Sequence, residues 1–128
     1  MDLITPATLA KPRGYSHGIV GEGRMLFVAG QIGWNDQSEM VSDRFVDQFD
    51  QALANVLAVV REAGGTPDSV GRLTIYVVDK SEYVTAQKAI GERYRARMGR
   101  HYPAMTLVEV KSLLEDGARV EIEATALL

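Results

Sequence analysis

The chain has 128 residues, a net charge of −3, ordinary apolar and charged fractions and no cysteine. That length suits one domain, 1–128. The acidic balance disfavours general nucleic-acid binding, which needs many cations against phosphate. Absent cysteine excludes disulfides, a thiolate nucleophile and cysteine metal sites. No apolar run is long enough to cross a bilayer, and the start, M-D-L-I-T-P-A-T, lacks the pattern of a secretory signal. The expected setting is therefore the cytoplasm, without membrane contact.

Residues 1–13 read as an irregular lead-in. Strands are expected near 15–20 and 25–32, joined as a hairpin by Gly21-Glu22-Gly23. A loop over 33–41 leads to a helix capped by Ser42 and running to about Ala63. Its apolar face is Phe45, Phe49, Leu53, Val56, Leu57 and Val60. Gly64 and Gly65 stop it, with Pro67 beyond. Residues 70–78 form a strand. Ser81 should cap a second helix reaching Met98. Its basic end, Arg93, Arg95, Arg97, Arg100 and His101, reads as a solvated end matched to the helix dipole. Residues 103–110 and 120–126 alternate and are expected to form a final hairpin. The order ββαβαββ gives an α+β domain, a mixed sheet with two helices on one face. Both sheet faces carry apolar residues (Leu26 and Val28 on one, Met25 and Phe27 on the other), so the face without helices calls for self-association.

Within the last quarter, P-A-M-T at 103–106 and V-E-I-E at 120–123 resemble the end of the RidA (YjgF/YER057c/UK114) family. The resemblance spans nearly the whole chain. Tyr15-Ser16 matches an early motif, F-V-A-G-Q at 27–31 matches a strand motif in which Ala29 replaces serine, and Gln48, Ala52, Leu53, Asn55 and Val56 match the first helix. In the family an arginine occupies the position of Met105 and binds the substrate carboxylate. The resemblance implies a chorismate-mutase-like fold, homotrimers with ligand clefts between subunits, no cofactor, no metal, and hydrolysis of enamines or imines.

The resemblance gives the position of Glu121 the handling of water or a proton. One carboxyl group can serve both water addition to C=N and protonation of the leaving nitrogen. Met105 and Leu107, expected on the same face, would surround it with apolar atoms, which favour a protonated acid. Its structural alternative is a solvent-facing strand residue or an intersubunit partner for Arg119. Glu123 reads as structural. Tyr15, Gly30, Gln87, Met105 and Leu107 are the substrate-binding candidates, with His17 and Trp34 as further ones. Tyr15 reads equally as an interface aromatic, Gly30 as a strand bend, His17 as an ordinary hydrogen-bonded residue and Trp34 as packing. Asn55 should tie helix to loop. The two histidines have no metal-ligand spacing.

Methionine cannot form the paired, charge-assisted bonds of an arginine fork. Losing such bonds is worth roughly one to two decades in affinity. Efficient hydrolysis of 2-aminoacrylate is therefore not expected, unless another cation such as Arg13 or Arg119 supplies the charge. The resemblance leaves three functions in order: a hydrolytic enamine or imine deaminase, aminomuconate-type or other; a non-catalytic small-molecule binding or sensor module; and an endoribonuclease or translation inhibitor, which the acidic charge disfavours.

Overall fold

The computed structural model describes residues 1–128. A four-stranded mixed sheet is built from β3 (Met25–Gln31), β4 (Val70–Val77), β5 (Ala104–Glu109) and β6 (Val120–Leu127), in the order β3-β6-β4-β5. β6 runs antiparallel to both its neighbours, and β4 and β5 are parallel. A separate ribbon pairs β1 (Asp2–Ile4) with β2 (Gly18–Val20). The domain is α+β. No helix is long and apolar enough to cross a membrane.

Helix α1 (Phe45–Glu62) covers one face because its apolar residues recur at helical spacing. Phe49, Leu53, Val56, Leu57 and Val60 are buried against Val28, Leu73, Ile75, Val77, Val120 and Ile122. It ends in a complete Schellman motif: Gly64 N–H donates to Arg61 O and Gly65 N–H to Val60 O, both at 2.9 Å, with Gly64 at φ +93°. Helices α2 (Lys80–Thr85) and α3 (Gln87–Met98) connect β4 to β5 on the same side, and α3 adds Ile90, Tyr94 and Met98 to the core. Parallel neighbours require such a crossover. Arg97 binds Asp50 through Nε (2.6 Å) and Nη2 (3.0 Å), and Arg93 reaches Asp50 and Asp47. The basic end of α3 is thus partly consumed in pinning it to α1, beyond the solvated role expected.

Several expectations are corrected. The two C-terminal strands are not a hairpin, because β4 lies between β5 and β6. Nor do the first two predicted strands pair: β2 is short and takes β1 as partner, within the supposed irregular lead-in. The cap of α1 is Arg44, while Ser42, two residues earlier, accepts from Arg44 N–H through its Oγ at 3.0 Å. Asp79 caps α2 by accepting from Ser81 N–H at 2.9 Å, so Ser81 is the donor. The single helix expected over 81–98 breaks at Ala86.

Candidate functional site

The face of the sheet away from the helices is uncovered. On β6 it presents Glu121, Glu123 and Thr125. Their register partners on β4 are Tyr76, Thr74 and Arg72. Thr106 and Val108 continue it on β5, and Met25 and Phe27 on β3. Its centre is polar and its flanks are apolar: Phe27 is 75% exposed and Met25 58%.

Glu121 sits in this polar centre. A shift of register between Val28 and Gln31 lets Gly30 approach it. A Cβ on Gly30 would stand 2.5 Å from Glu121 Oε2. Only glycine leaves that space open. Glu123 is held differently, since the Tyr76 hydroxyl donates to its Oε1 at 2.5 Å. That bond, then burial and the charges of Glu123 and Glu121, push the Tyr76 hydroxyl up from its ordinary pKa. Tyr76 therefore stays a donor, and Glu123 is occupied. Glu121 has no ion pair, because Arg93 and Arg97 meet Asp47 and Asp50, and Arg119 Nε donates to both oxygens of Glu82 at 2.8 Å. Within one chain the partner of Arg119 is therefore Glu82 and not Glu121. Arg119 is likewise engaged rather than free to hold a ligand.

Met105 and Leu107 do not lie beside Glu121. They are in register with Leu73 and Ile75, on the helix-covered face, where both pack against the core. The alternation within β5 was sound, but its phase relative to β6 depends on β4, which separates them. Met105 instead joins Gln87 in the lining of a cavity of about 330 Å³, between α3 and the start of β5. Tyr83, Ile90, Gly91, Tyr94, Arg95 and Tyr102 complete most of its wall. Tyr94 and Tyr102 stack with centroids 5.3 Å apart, and the Tyr94 hydroxyl donates to His101 O at 2.7 Å. Burial holds that hydroxyl well above its ordinary pKa, so it stays protonated.

Between the two places runs the segment 14–17. Ser16 is buried and bridges to Ala104, its hydroxyl donating to Tyr102 O at 2.5 Å. Tyr15 and His17 flank it with rings edge to face, 5.4 Å apart, and His17 Nε2 lies 2.7 Å from Ala10 O. His17 borders a second hollow with Met25, Arg72 and Thr125. Trp34 belongs elsewhere: Asn55 on α1 donates to the carbonyls of Ile32 and Trp34, both at 3.0 Å. That is the helix-to-loop tie expected of Asn55. No group of three or more His, Asp or Glu stands close enough together to hold a metal.

The sequence model of the family described as Endoribonuclease L-PSP matches residues 5–128. A RutC family protein of Pyrococcus horikoshii is 32% identical over 98% of this chain and 96% of its own length. The chain belongs to the RidA/YjgF/YER057c/UK114 family. A Rid-family protein of unknown function from Yersinia pestis has a crystal structure that superposes with a TM-score of 0.88, at 36% identity, covering 99% of this chain and 98% of the other. The 2-iminobutanoate/2-iminopropanoate deaminase of Escherichia coli is 33% identical, over 81% of this chain and 80% of its own.

For a RidA-family chain, the residues on this face that sequence reasoning overlooked are Tyr76 and Thr74, while Arg95, read as part of a solvated helix end, lines the cavity. The first two were legible: 72–77 alternates Arg, Leu, Thr, Ile, Tyr, Val, which puts Thr74 and Tyr76 opposite the buried Leu73 and Ile75. Arg95 carried no such mark in a run of arginines.

Proposed function

We propose that this protein is a cofactor-free hydrolytic deaminase of small enamines or imines, of the kind that lacks the family arginine. Glu121 acts as its acid and base. The observation that carries the reading is the seat of Glu121 over Gly30 on the uncovered sheet face, with a carboxylate free of ion pairs. Water adds to the C=N carbon as Glu121 accepts one of its protons. The same carboxyl group passes that proton to the nitrogen, giving a carbinolamine; it then takes the hydroxyl proton and delivers it to the nitrogen as well, so that the C–N bond breaks while the C=O forms, and ammonia and a keto product leave. Alongside, the Tyr76 hydroxyl is committed to Glu123, which leaves Glu121 as the carboxyl group free to move protons. Thr106 and Thr74 line the same strip.

The working form is a homotrimer. The apolar flanks Phe27, Met25 and Val108 have no cover within one chain, which marks an interface. Within one chain, Glu121 and the Met105–Gln87 cavity lie on opposite sides of the sheet. A ligand held in that cavity would meet the glutamate of another copy, so the cleft between copies is where both act together.

The test is Glu121→Gln, which keeps shape and hydrogen bonding but cannot cycle a proton. Ammonia release from a panel of imines, derived from amino acids and from amines without a carboxylate, should fall by about 10²–10⁴-fold. Assembly and binding of keto products should survive. Unchanged turnover would remove Glu121 from the mechanism. A second reading, a small-molecule binding module without turnover, is favoured by one observation: Met105 stands where the family pattern has its arginine. Binding of keto compounds with no release of ammonia from any imine would select it.

A further inference from the structure

We propose that Arg95 supplies the carboxylate-binding cation of this chain, holding a small apolar 2-keto or 2-imino acid in the cavity between α3 and the start of β5. The inference rests on the reading of the protein as a binder of an imine or its keto product, and it names the class: monocarboxylates with an apolar body.

Four residues set the geometry. Gln87, Gly91 and Arg95 follow one another at intervals of four on α3, where side chains so spaced stack along one helix face, and Tyr83 joins them from α2 across the break at Ala86. All four line the cavity. Gly91 is the gap in this row. A Cβ there would stand 3.1 Å from Arg95 Nη1, so the guanidinium lies back across Gly91. In a helix interior glycine costs up to about 1 kcal/mol relative to alanine, and here its bare backbone lets the guanidinium lie closer than a methyl group would leave it.

The charge of Arg95 is unspent. Arg93, Arg97 and Arg119 each bind a carboxylate of the chain, whereas Arg95 has no ion pair. No Asp or Glu lines the cavity to compete. The remaining wall is the stacked Tyr94–Tyr102 pair, Ile90 and the thioether of Met105, an apolar bed for a short carbon chain or ring. Gln87 offers an amide that can both donate and accept, suited to a keto or imino group. Methionine at 105 thus supplies contact, while the positive charge has moved to the opposite wall.

The experiment is calorimetry on the wild-type protein and Arg95→Gln with matched probes: phenylpyruvate against phenylacetone, and 2-ketobutyrate against butanone. Each pair differs by the carboxylate. The wild type should prefer the acid by roughly ten- to a hundredfold, as expected for bonds to a charged group. Arg95→Gln should bind acid and neutral probe alike. A preference that survives in Arg95→Gln overturns the proposal by placing the cation elsewhere. So does a wild type with no preference or no affinity for the acids. If such a protein still hydrolyses neutral imines in a Glu121-dependent way, the deaminase reading stands and only the carboxylate site falls.

Discussion

The Glu121 carboxyl group occupies the volume that a side chain at residue 30 would need: a methyl on Gly30 would stand 2.5 Å from Oε2, 2.8 Å from Cδ and 2.9 Å from Cγ. Gly30→Ala should therefore leave the fold intact and displace the carboxyl group, since the glutamate side chain yields before the sheet does. Turnover should fall at least tenfold, by a loss in kcat more than in KM, because misplacing a reacting group by an ångström costs about that or more. Thermal unfolding should shift little. A crystal structure of the variant with Glu121 unmoved, or undiminished turnover, would break the link between the two residues.

Gln48 should be among the most costly polar positions to change. It is fully buried; its Nε2 donates to Ser42 O and Gly117 O at 3.0 Å, and its Oε1 accepts from Arg119 N–H at 2.8 Å. One side chain thus ties α1 to the loop before it and to the turn before β6. Gln48→Leu keeps the volume and strands three backbone groups. Each stranded group costs about 1–3 kcal/mol, so urea unfolding should show a loss of about 3 kcal/mol or more.

Asp50 predicts an acid-dependent contact between α1 and α3. Hydrogen bonds from Arg97, with the charges of Arg97 and Arg93, hold its carboxyl group below the ordinary value of 3.8, against the opposing effect of burial. A pKa depressed by folding gives stability that is present above the unfolded value and lost as pH falls through the folded one. Asp50→Asn should then cost about 1 kcal/mol at neutral pH, a modest figure because the arginines are partly solvated. The gap between variant and wild type should narrow below about pH 4. A gap that is constant with pH would show that packing, not charge, joins the helices there.

Phe27 tests the assembly. It projects from β3 on the uncovered face and is 75% exposed. Sedimentation equilibrium of the wild type should give a trimer at micromolar concentration. Phe27→Lys should give monomers with an unchanged far-ultraviolet dichroism spectrum and no deaminase activity. A wild-type monomer would sink the intersubunit cleft.

Helix positions and strand alternation were legible because they are local. The apolar spacing from Phe45 to Val60 sufficed for α1, and Val120, Ile122 and Ala124 for the buried side of β6. What stayed hidden was relational. Nothing near residues 103–126 announces that β4 comes between the last two strands, so the face of Met105 relative to Glu121 could not be read. A phase error of one residue reverses every side chain. The break at Ala86 escaped notice because alanine is a good helix former. β1 is three residues long and fully exposed, with too little pattern to register. The residues flanking Glu121 in sequence were available, whereas Tyr76 and Gly30 reach it only through pairing.

The position of β6 between β3 and β4 also dictates when the domain can close. Residues 120–127 emerge from the ribosome after both strands they join. Until then β3 and β4 have no common neighbour, α1 has only part of a surface to settle on, and two strand edges stand unpaired. Pairings this distant in sequence slow folding, and unpaired edges are sticky. A growing chain would therefore benefit from a holdase most in the interval after β5 has appeared and before β6 has slotted in.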